Sequence, residues 1–429
     1  MKDVKCRSGL DTTIRIPGSK SITHRVIIAA SLAEGRSVLT DFLECEDTLY
    51  TIDALRKIGV EMFIEDNKLK IEGTGGKFRP GLHRKELYLG NSGTSLRLLL
   101  SVVALCKGEF LMTGTQRMLK RPIGPLVVAL NRLGVDTSCI EQDGCPPVRI
   151  KANGIRGGNV SIKANQSSQF LSSLLLSGPY ADNDIRIKIA GQMVSKPYVD
   201  ITIDVMKQFG IQVECDDYDG FKIPSGQRYK AREFRIQGDA SSASYFWAAA
   251  AVTGGTITTD NIYPYATLQG DISFLEILGR MGCSIQKGAE HVAVQGCPLS
   301  GIEADMKDLP DMVPTLAAVA LFVRGKTIIR NVSHLRHKES DRLHAVALEW
   351  RRIGGRVEEL PDGLIIHGGS PLSPAVVNPH NDHRLAMSLA VVGLRLPHLE
   401  IMDKDCVKKS FPTFWELWNS LQEKPPNCG

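Results

Sequence analysis

Three short runs in the sequence gather more charge than a surface loop needs. Lys20-Ser21 is followed by Arg25, Lys338-Glu339-Ser340-Asp341-Arg342 places four charged residues within five positions, and Asn381-Asp382-His383-Arg384 ends on a further cation. Arg97, Arg121-Pro122 and Lys408-Lys409 add basic groups elsewhere. Guanidinium and ammonium groups of this kind bind phosphate and carboxylate through charge-assisted hydrogen bonds. Asp311 and Glu339 are the acids of interest. A carboxylate held ionised by neighbouring cations can take a proton from a hydroxyl. The residue types therefore point to an anionic small molecule and to proton transfer.

Each residue also has a plainer reading. Ser, Asn and Asp before a helix are ordinary N-caps, which suffices for Asp311 taken alone. Glu339 can be a salt-bridge partner of Lys338 or Arg342, and a single Lys or Arg is usually a solvated surface charge. What distinguishes these positions is the elements that must carry them.

Those elements repeat. An apolar residue followed by Gly recurs at Ile58-Gly59, Leu133-Gly134, Phe209-Gly210, Met281-Gly282 and Ile353-Gly354, at intervals of 75, 76, 72 and 72 residues. Gly just past an amphipathic run is a helix C-cap, because it takes positive φ without a Cβ penalty. Upstream of each lies a helix of small and apolar residues, expected near 21–33, 92–106, 167–177, 240–252, 311–323 and 382–394. Each is followed by a β-rich run near 36–41, 109–113, 184–190, 255–260, 326–331 or 398–402. Segments such as Ser244–Val252 and Thr315–Val323 are apolar on nearly every side, which implies burial all round. The six helix starts carry Lys20-Ser21, Asn91-Ser92-Gly93-Thr94, Ser167-Ser168-Gln169, Asp239-Ala240-Ser241-Ser242, Pro310-Asp311 and Asn381-Asp382-His383-Arg384. Helix N-termini with free N–H groups attract anions, so six aimed at one cleft would form a strong phosphate and carboxylate site.

The sixth copy has a helix at 411–422 but not its final strands, while Lys5–Ile16 reads as strands without a preceding helix. The two ends are expected to complete one copy together. That makes residues 1–18 plus 238–429 one discontinuous domain and 19–237 the other, with a hinge near the two crossings. The fold class is α/β, with three helix–strand repeats per domain.

Composition agrees. At 43% hydrophobic and 23% charged, the chain is neither disordered, collagen-like nor a coiled coil. Its 429 residues admit two or three domains. A net charge of +5 is too small to argue for nucleic acid but allows a local cationic pocket. No apolar stretch approaches the ~18 residues of a membrane span, and Met1-Lys2-Asp3-Val4-Lys5 lacks the apolar core of a secretory signal. Ten scattered cysteines with no C-x-x-C pair read as reduced thiols of a cytoplasmic protein, without zinc-ligand spacing. There is no Walker A pattern, no G-x-G-x-x-G opening a helix after a strand and no G-x-S-x-G elbow, so neither nucleotide use nor a serine hydrolase is supported.

Eight motifs then carry a resemblance across about residues 5–420: Pro17-Gly18-Ser19-Lys20-Ser21, Leu89-Gly90-Asn91-Ser92-Gly93-Thr94, Arg121-Pro122-Ile123-Gly124, Ser167-Ser168-Gln169-Phe170-Leu171, Ser195-Lys196-Pro197-Tyr198, Gly238-Asp239-Ala240-Ser241-Ser242-Ala243, Lys338-Glu339-Ser340-Asp341-Arg342-Leu343 and Asn381-Asp382-His383-Arg384. In this order and spacing the chain resembles the 5-enolpyruvylshikimate-3-phosphate synthase family. The resemblance implies two inside-out α/β domains and transfer of the enolpyruvyl group of phosphoenolpyruvate to the 5-hydroxyl of shikimate 3-phosphate. It also implies addition–elimination through a tetrahedral intermediate, with no metal or other cofactor. Ser21, Arg25, Ser167, Ser168, Gln169, Ser195, Tyr198, His334 and Lys338, with Lys20 and Asp311, match positions that hold shikimate 3-phosphate. Lys20, Asn91, Gly93, Arg121, Gln169, Arg342, His383, Arg384 and Lys409 match those around phosphoenolpyruvate, where Gly93 is expected to keep space beside the small substrate. Catalysis would fall to Lys20, Asp311 and Glu339. The resemblance further implies a monomer that closes on binding, a role in aromatic amino-acid supply, and glyphosate inhibition. Thr23-His24 and His334 depart from the family pattern, in which Ser-Asn and Asn are frequent. The alternatives are the sister enzyme acting on UDP-N-acetylglucosamine, and a non-catalytic protein of the same fold. The sister usually has Lys-Asn at its first motif and a Cys before Arg-Pro; this chain has Lys20-Ser21 and no Cys in 113–121.

Overall fold

All five recurrent glycines adopt positive φ, between 87° at Gly210 and 124° at Gly282, in a computed structural model that describes residues 1–3, 9–78, 82–141 and 143–421. Each lies just past a helix, as the C-cap reading requires.

Twelve α-helices occur among the described residues, in alternating inner and outer roles. The first unit in chain order, Lys20–Ile236, contains α1 (Lys20–Leu32), α2 (Glu46–Lys57), α3 (Gly93–Ala104), α4 (Gly124–Arg132), α5 (Gln169–Ser177) and α6 (Pro197–Gln208). The second joins Met1–Ser19 to Gln237–Gly429. It contains α7 (Ala240–Thr253), α8 (Phe274–Met281), α9 (Val313–Ala320), α10 (Arg342–Arg352), α11 (His383–Gly393) and α12 (Phe414–Ser420). The odd-numbered helices are the apolar ones. Every residue of α7, α9 and α11 is buried, whereas the sheets alternate buried and exposed positions, as in Ile185–Ala190. Helices at the centre and sheets outside make each unit an inside-out α/β domain, and each has its own hydrophobic core.

One repeat shows the logic. Strand Gly158–Lys163 leads into α5, strand Ile185–Ala190 returns parallel to it, α6 crosses the outside, and the hairpin Glu214–Asp216/Gly220–Ile223 closes the sheet antiparallel. The first repeat of each unit borrows its leading strand from a distant segment. Glu233–Arg235 pairs parallel with Glu34–Thr40, and Asp11–Arg15 pairs parallel with Thr256–Asp260. The chain's start therefore serves two sheets, not one. Strand Lys2–Asp3 pairs with Glu400–Ile401 in the sixth repeat, while Asp11–Arg15 completes the fourth. Of the expected Lys5–Ile16 strands, residues 5–8 lie outside the described residues, as does residue 422 of the expected last helix.

The two chain crossings are tied to each other. Gly18 bridges Gly238 antiparallel, the Ser19 N–H donates to the Gln237 carbonyl at 2.8 Å, and the Asp239 N–H donates to the Pro17 carbonyl at 2.9 Å. The expected helix 311–323 begins later than its pattern, because Pro310–Met312 forms a 3-10 turn and α9 starts at Val313. Asp311 is thereby a turn residue rather than an N-cap. No helix among the described residues is long and apolar enough to cross a membrane.

Candidate active site

In the unit Lys20–Ile236, the side chains of the motifs stand at the starts of α1, α3 and α5 and on the loops beside them. Lys20 opens α1, and its Nζ donates to Asp47 Oδ2 at 3.2 Å. Arg25 is one turn further along. Its Nε donates to Thr202 Oγ1 at 2.7 Å, Nη1 to the Ser21 carbonyl at 2.8 Å and Nη2 to the Tyr198 carbonyl at 3.0 Å, and its guanidinium lies 5.9 Å from the Tyr198 ring centre. Arg25 thus pins α1 to α6. Burial without a carboxylate partner lowers its pKa to about 10, against a smaller opposing effect of Tyr198. Ser195, ahead of α6, holds a left-handed φ of 57°, a conformation costing on the order of 1 kcal/mol that persists where surroundings over-determine it.

The α3 and α5 starts are joined by Arg97, a residue the motifs did not assign. Its Nη1 donates to Gln169 Oε1 at 3.0 Å and to Ser167 Oγ at 3.4 Å, and its Nη2 to the Pro122 carbonyl at 2.9 Å. Gln169 in turn donates to Thr94 Oγ1 at 2.9 Å. Ser168, the residue before α5, is buried beside them. Arg121 Nη1 donates to the Asn91 carbonyl at 2.9 Å. Gly93 lies directly against Arg121. A Cβ on Gly93 would stand 2.6 Å from Arg121 Cζ and Nη2, so the space this glycine keeps is filled by the Arg121 guanidinium.

The other unit assembles acids. Arg342, the first residue of α10, donates from Nη1 to Asp311 Oδ1 at 2.8 Å, from Nη2 to Glu339 Oε2 at 2.7 Å and from Nε to Asp382 Oδ2 at 2.7 Å. Arg384 Nη2 donates to Asp311 Oδ2 at 2.7 Å. Asp311 thus has each oxygen on a different guanidinium, and Glu339 forms the salt bridge its sequence neighbourhood allowed. Burial alone would depress Arg342, but Asp382, Glu339 and Asp311 outweigh it and hold the guanidinium above its ordinary pKa. Asp382 also caps α11 by accepting from the Arg384 N–H at 3.0 Å. Lys409 ends a 3-10 helix, Lys404–Lys409, packed against α11. His383 is fully buried, its Nδ1 3.9 Å from Asp382 Oδ1. His334 is buried and pushed down to about 3, by desolvation first and then by Lys338.

The printed partners of Arg25 are neutral oxygens, whereas those of Arg342 are three carboxylates. A family model described as EPSP synthase (3-phosphoshikimate 1-carboxyvinyltransferase) matches residues 4–418. The chain belongs to this family. It is 41% identical over 418 residues to the 3-phosphoshikimate 1-carboxyvinyltransferase of Sulfurovum sp. (strain NBC37-1), spanning 96% of this chain and 97% of the relative. With that of Marinomonas sp. (strain MWYL1) it shares 43% over 411 residues, 95% and 96% of the two chains. The solved EPSP synthase of Acinetobacter baumannii superposes with a TM-score of 0.80 at 28% identity, covering 98% of this chain and 97% of that one. An enolpyruvyl transferase of Streptomyces tendae, at 17% identity and a TM-score of 0.78 over 98% and 97% of the two chains, shares the fold.

Against the EPSP synthase pattern, the departure at Thr23-His24 has a structural account. Thr23 Oγ1 accepts from the Leu43 N–H at 3.1 Å. His24 Nδ1 lies 2.8 Å from Thr51 Oγ1, which donates to Ser95 Oγ at 2.8 Å, and Ser95 donates to the Asp47 carbonyl at 3.0 Å. Both residues are fully buried. They tie α1 to α2 and α3 beneath the Lys20–Asp47 pair. Asp382 was readable as a member of its motif, whereas Asp47 and Arg97 had no signal beyond their charge.

Proposed function

We propose that this chain transfers the enolpyruvyl group of phosphoenolpyruvate to the 5-hydroxyl of shikimate 3-phosphate and releases inorganic phosphate, in the route to chorismate and the aromatic amino acids. The observation that carries the reading is Asp311, a carboxylate with each oxygen on its own buried arginine. An acid fixed in orientation between two guanidinium groups suits removal of a hydroxyl proton.

In this reading Asp311 accepts the 5-hydroxyl proton as the oxygen bonds to C2 of phosphoenolpyruvate. C3 gains a proton and a tetrahedral intermediate forms. Loss of a C3 proton with departure of phosphate then gives the product. Lys20 and Glu339 serve the methylene proton in the two directions. Ser21, Ser167, Ser168, Ser195, Tyr198, Lys338 and His334 hold shikimate 3-phosphate, with Arg25 positioning Ser21 and Tyr198 through its bonds to their carbonyls. Arg121, Gln169, Arg342, Arg384 and Lys409 hold phosphoenolpyruvate, with Asn91 and Gly93 seating Arg121 and His383 supporting the α11 start. Donors set in place before the reaction stabilise the charge that develops without further reorganisation. Residues 1–18 with 238–429, and 19–237, act as two domains that draw together on ligand binding. The working species is a cytoplasmic monomer.

The test is phosphate release in a coupled assay with both substrates. Absence of release overturns the reading, and release with UDP-N-acetylglucosamine as acceptor favours the sister reaction. Unchanged small-angle scattering on adding both ligands would remove the closure.

A further inference from the structure

Asp271 belongs to none of the motifs above. It lies in a 3-10 turn, Gly270–Ser273, that runs into α8, and it is 4% exposed. Gln269 fastens this turn to the start of α7. Its Nε2 donates to the Gly238 carbonyl at 2.8 Å, and its Oε1 accepts from the Ala240 N–H at 3.1 Å. Asp271 Oδ2 accepts a hydrogen bond from the Ser241 hydroxyl. Ser241 and Tyr245 share one face of α7, a turn apart. The Tyr245 hydroxyl accepts from Arg384 Nη1 at 3.5 Å, and Arg384 Nη2 holds Asp311. One face of α7 thus meets Asp271 at Ser241 and, a turn further on, meets Arg384, the partner of Asp311, at Tyr245.

Charged groups that act on Asp271 include three from other elements. They are Asp311 before α9, Arg384 at the start of α11 and Asp239 before α7. Burial and then Asp311 push its carboxyl up to about 7, while Arg384 and the Ser241 hydroxyl work against the rise. Asp271 therefore changes charge in the neutral range, inside the electrostatic field of a guanidinium that already serves Asp311.

Resting on the reading that Arg384 receives phosphoenolpyruvate, we infer that Asp271 is a positioning residue that sets how strongly Arg384 engages the incoming anion. Neutral Asp271 leaves the guanidinium to Asp311 and the substrate. Ionised Asp271 adds a buried anion that lowers the positive potential the substrate meets. The effect falls on binding and not on bond making, because no reacting atom touches Asp271.

The experiment is kcat and KM for phosphoenolpyruvate between pH 5.5 and 8.5 for the unmodified protein, Asp271→Asn and Ser241→Ala. The substrate's own phosphate titrates in this range, but identically for all three, so the difference between proteins is the readout. The unmodified protein should show a rise in KM across the range about tenfold larger than Asp271→Asn, equivalent to one unit of pKa coupling, with kcat changing much less. Ser241→Ala removes a hydrogen bond to the ionised form and should move the step to higher pH. Superimposable KM profiles for the unmodified protein and Asp271→Asn overturn the inference. So does an unshifted step in Ser241→Ala, which decides the matter if Asp271→Asn does not fold. If the unmodified protein releases no phosphate, the functional reading fails, and this inference falls with it. Activity with matching profiles removes only the role of Asp271.

Discussion

Arg342 and Arg25 are equally buried, each 1% exposed, and the two units hold them in opposite ways. Arg342 is surrounded by Asp311, Glu339 and Asp382. Arg25 is satisfied by two hydroxyls and two backbone carbonyls. Carboxylates raise the pKa of the first and burial lowers that of the second. Either arrangement satisfies a buried cation, but the consequences differ. Where neutral dipoles do the holding, as for Arg25, the guanidinium is fixed by hydroxyl and carbonyl oxygens and keeps its net positive charge. Where carboxylates do it, the charge is neutralised and the acids are locked in orientation. The first arrangement suits holding a phosphorylated substrate, and the second suits proton transfer. In the same unit Lys20 does pair with a carboxylate, Asp47, and it is the cation proposed for a catalytic role there.

The sharpest way to break this comparison is Asp311→Asn. It keeps shape and loses the base, so phosphate release should fall roughly 10³-fold, within the range for general-base removal, with an unchanged circular dichroism spectrum. A loss below tenfold would place the base elsewhere.

Next comes stability. Arg342→Met removes the one guanidinium that Asp311, Glu339 and Asp382 share, and should cost about 3–5 kcal/mol. Arg25→Met leaves only neutral acceptors unsatisfied and should cost about 1–3 kcal/mol. Urea unfolding of both variants measures the difference, and equal losses would show that the partner type does not matter.

Gly93→Ala probes the neutral-dipole unit. The added methyl meets the movable end of Arg121. KM for phosphoenolpyruvate should rise about tenfold, as for loss of one charge-assisted bond, while the urea midpoint stays in place. A large fall in stability would mean that Arg121 cannot yield.

The smallest effect is expected at His334. Its pKa is about 3 in the folded protein, below the unfolded value near 6.5. Its contribution to stability is therefore complete above pH 6.5 and is lost as pH falls from there toward 3. Asn does not titrate, so His334→Asn should gain about 1 kcal/mol over the unmodified protein at pH 6 and nothing at pH 8. Thermal melts at the two pH values give this difference directly, and a gain independent of pH would contradict the shift.

Much of the fold was legible because it repeats. A glycine that must adopt positive φ, an all-apolar helix and a β-rich run every 72–76 residues are local features, and local chemistry is what a sequence displays. The site was legible where functional groups stand at helix starts within one motif, as with Lys338 to Arg342. Partnerships between distant segments were not. Lys20 with Asp47, Arg97 with Gln169, Gly93 with Arg121 and Asp271 with Ser241 join residues 27, 72, 28 and 30 positions apart, and nothing in either segment names the other.

By itself the sequence determined the repeat unit, the alternation of inner and outer helices, the anionic character of the substrate and the family. Only the tertiary structure decided which arginines are held by acids and which by dipoles, that Gly93 makes room for a guanidinium, and that the chain's start serves two different sheets. The physical reason is that helix caps and apolar periodicity are set by residues within a few positions. The charge state and orientation of a buried group are set by whatever the fold brings within hydrogen-bond distance.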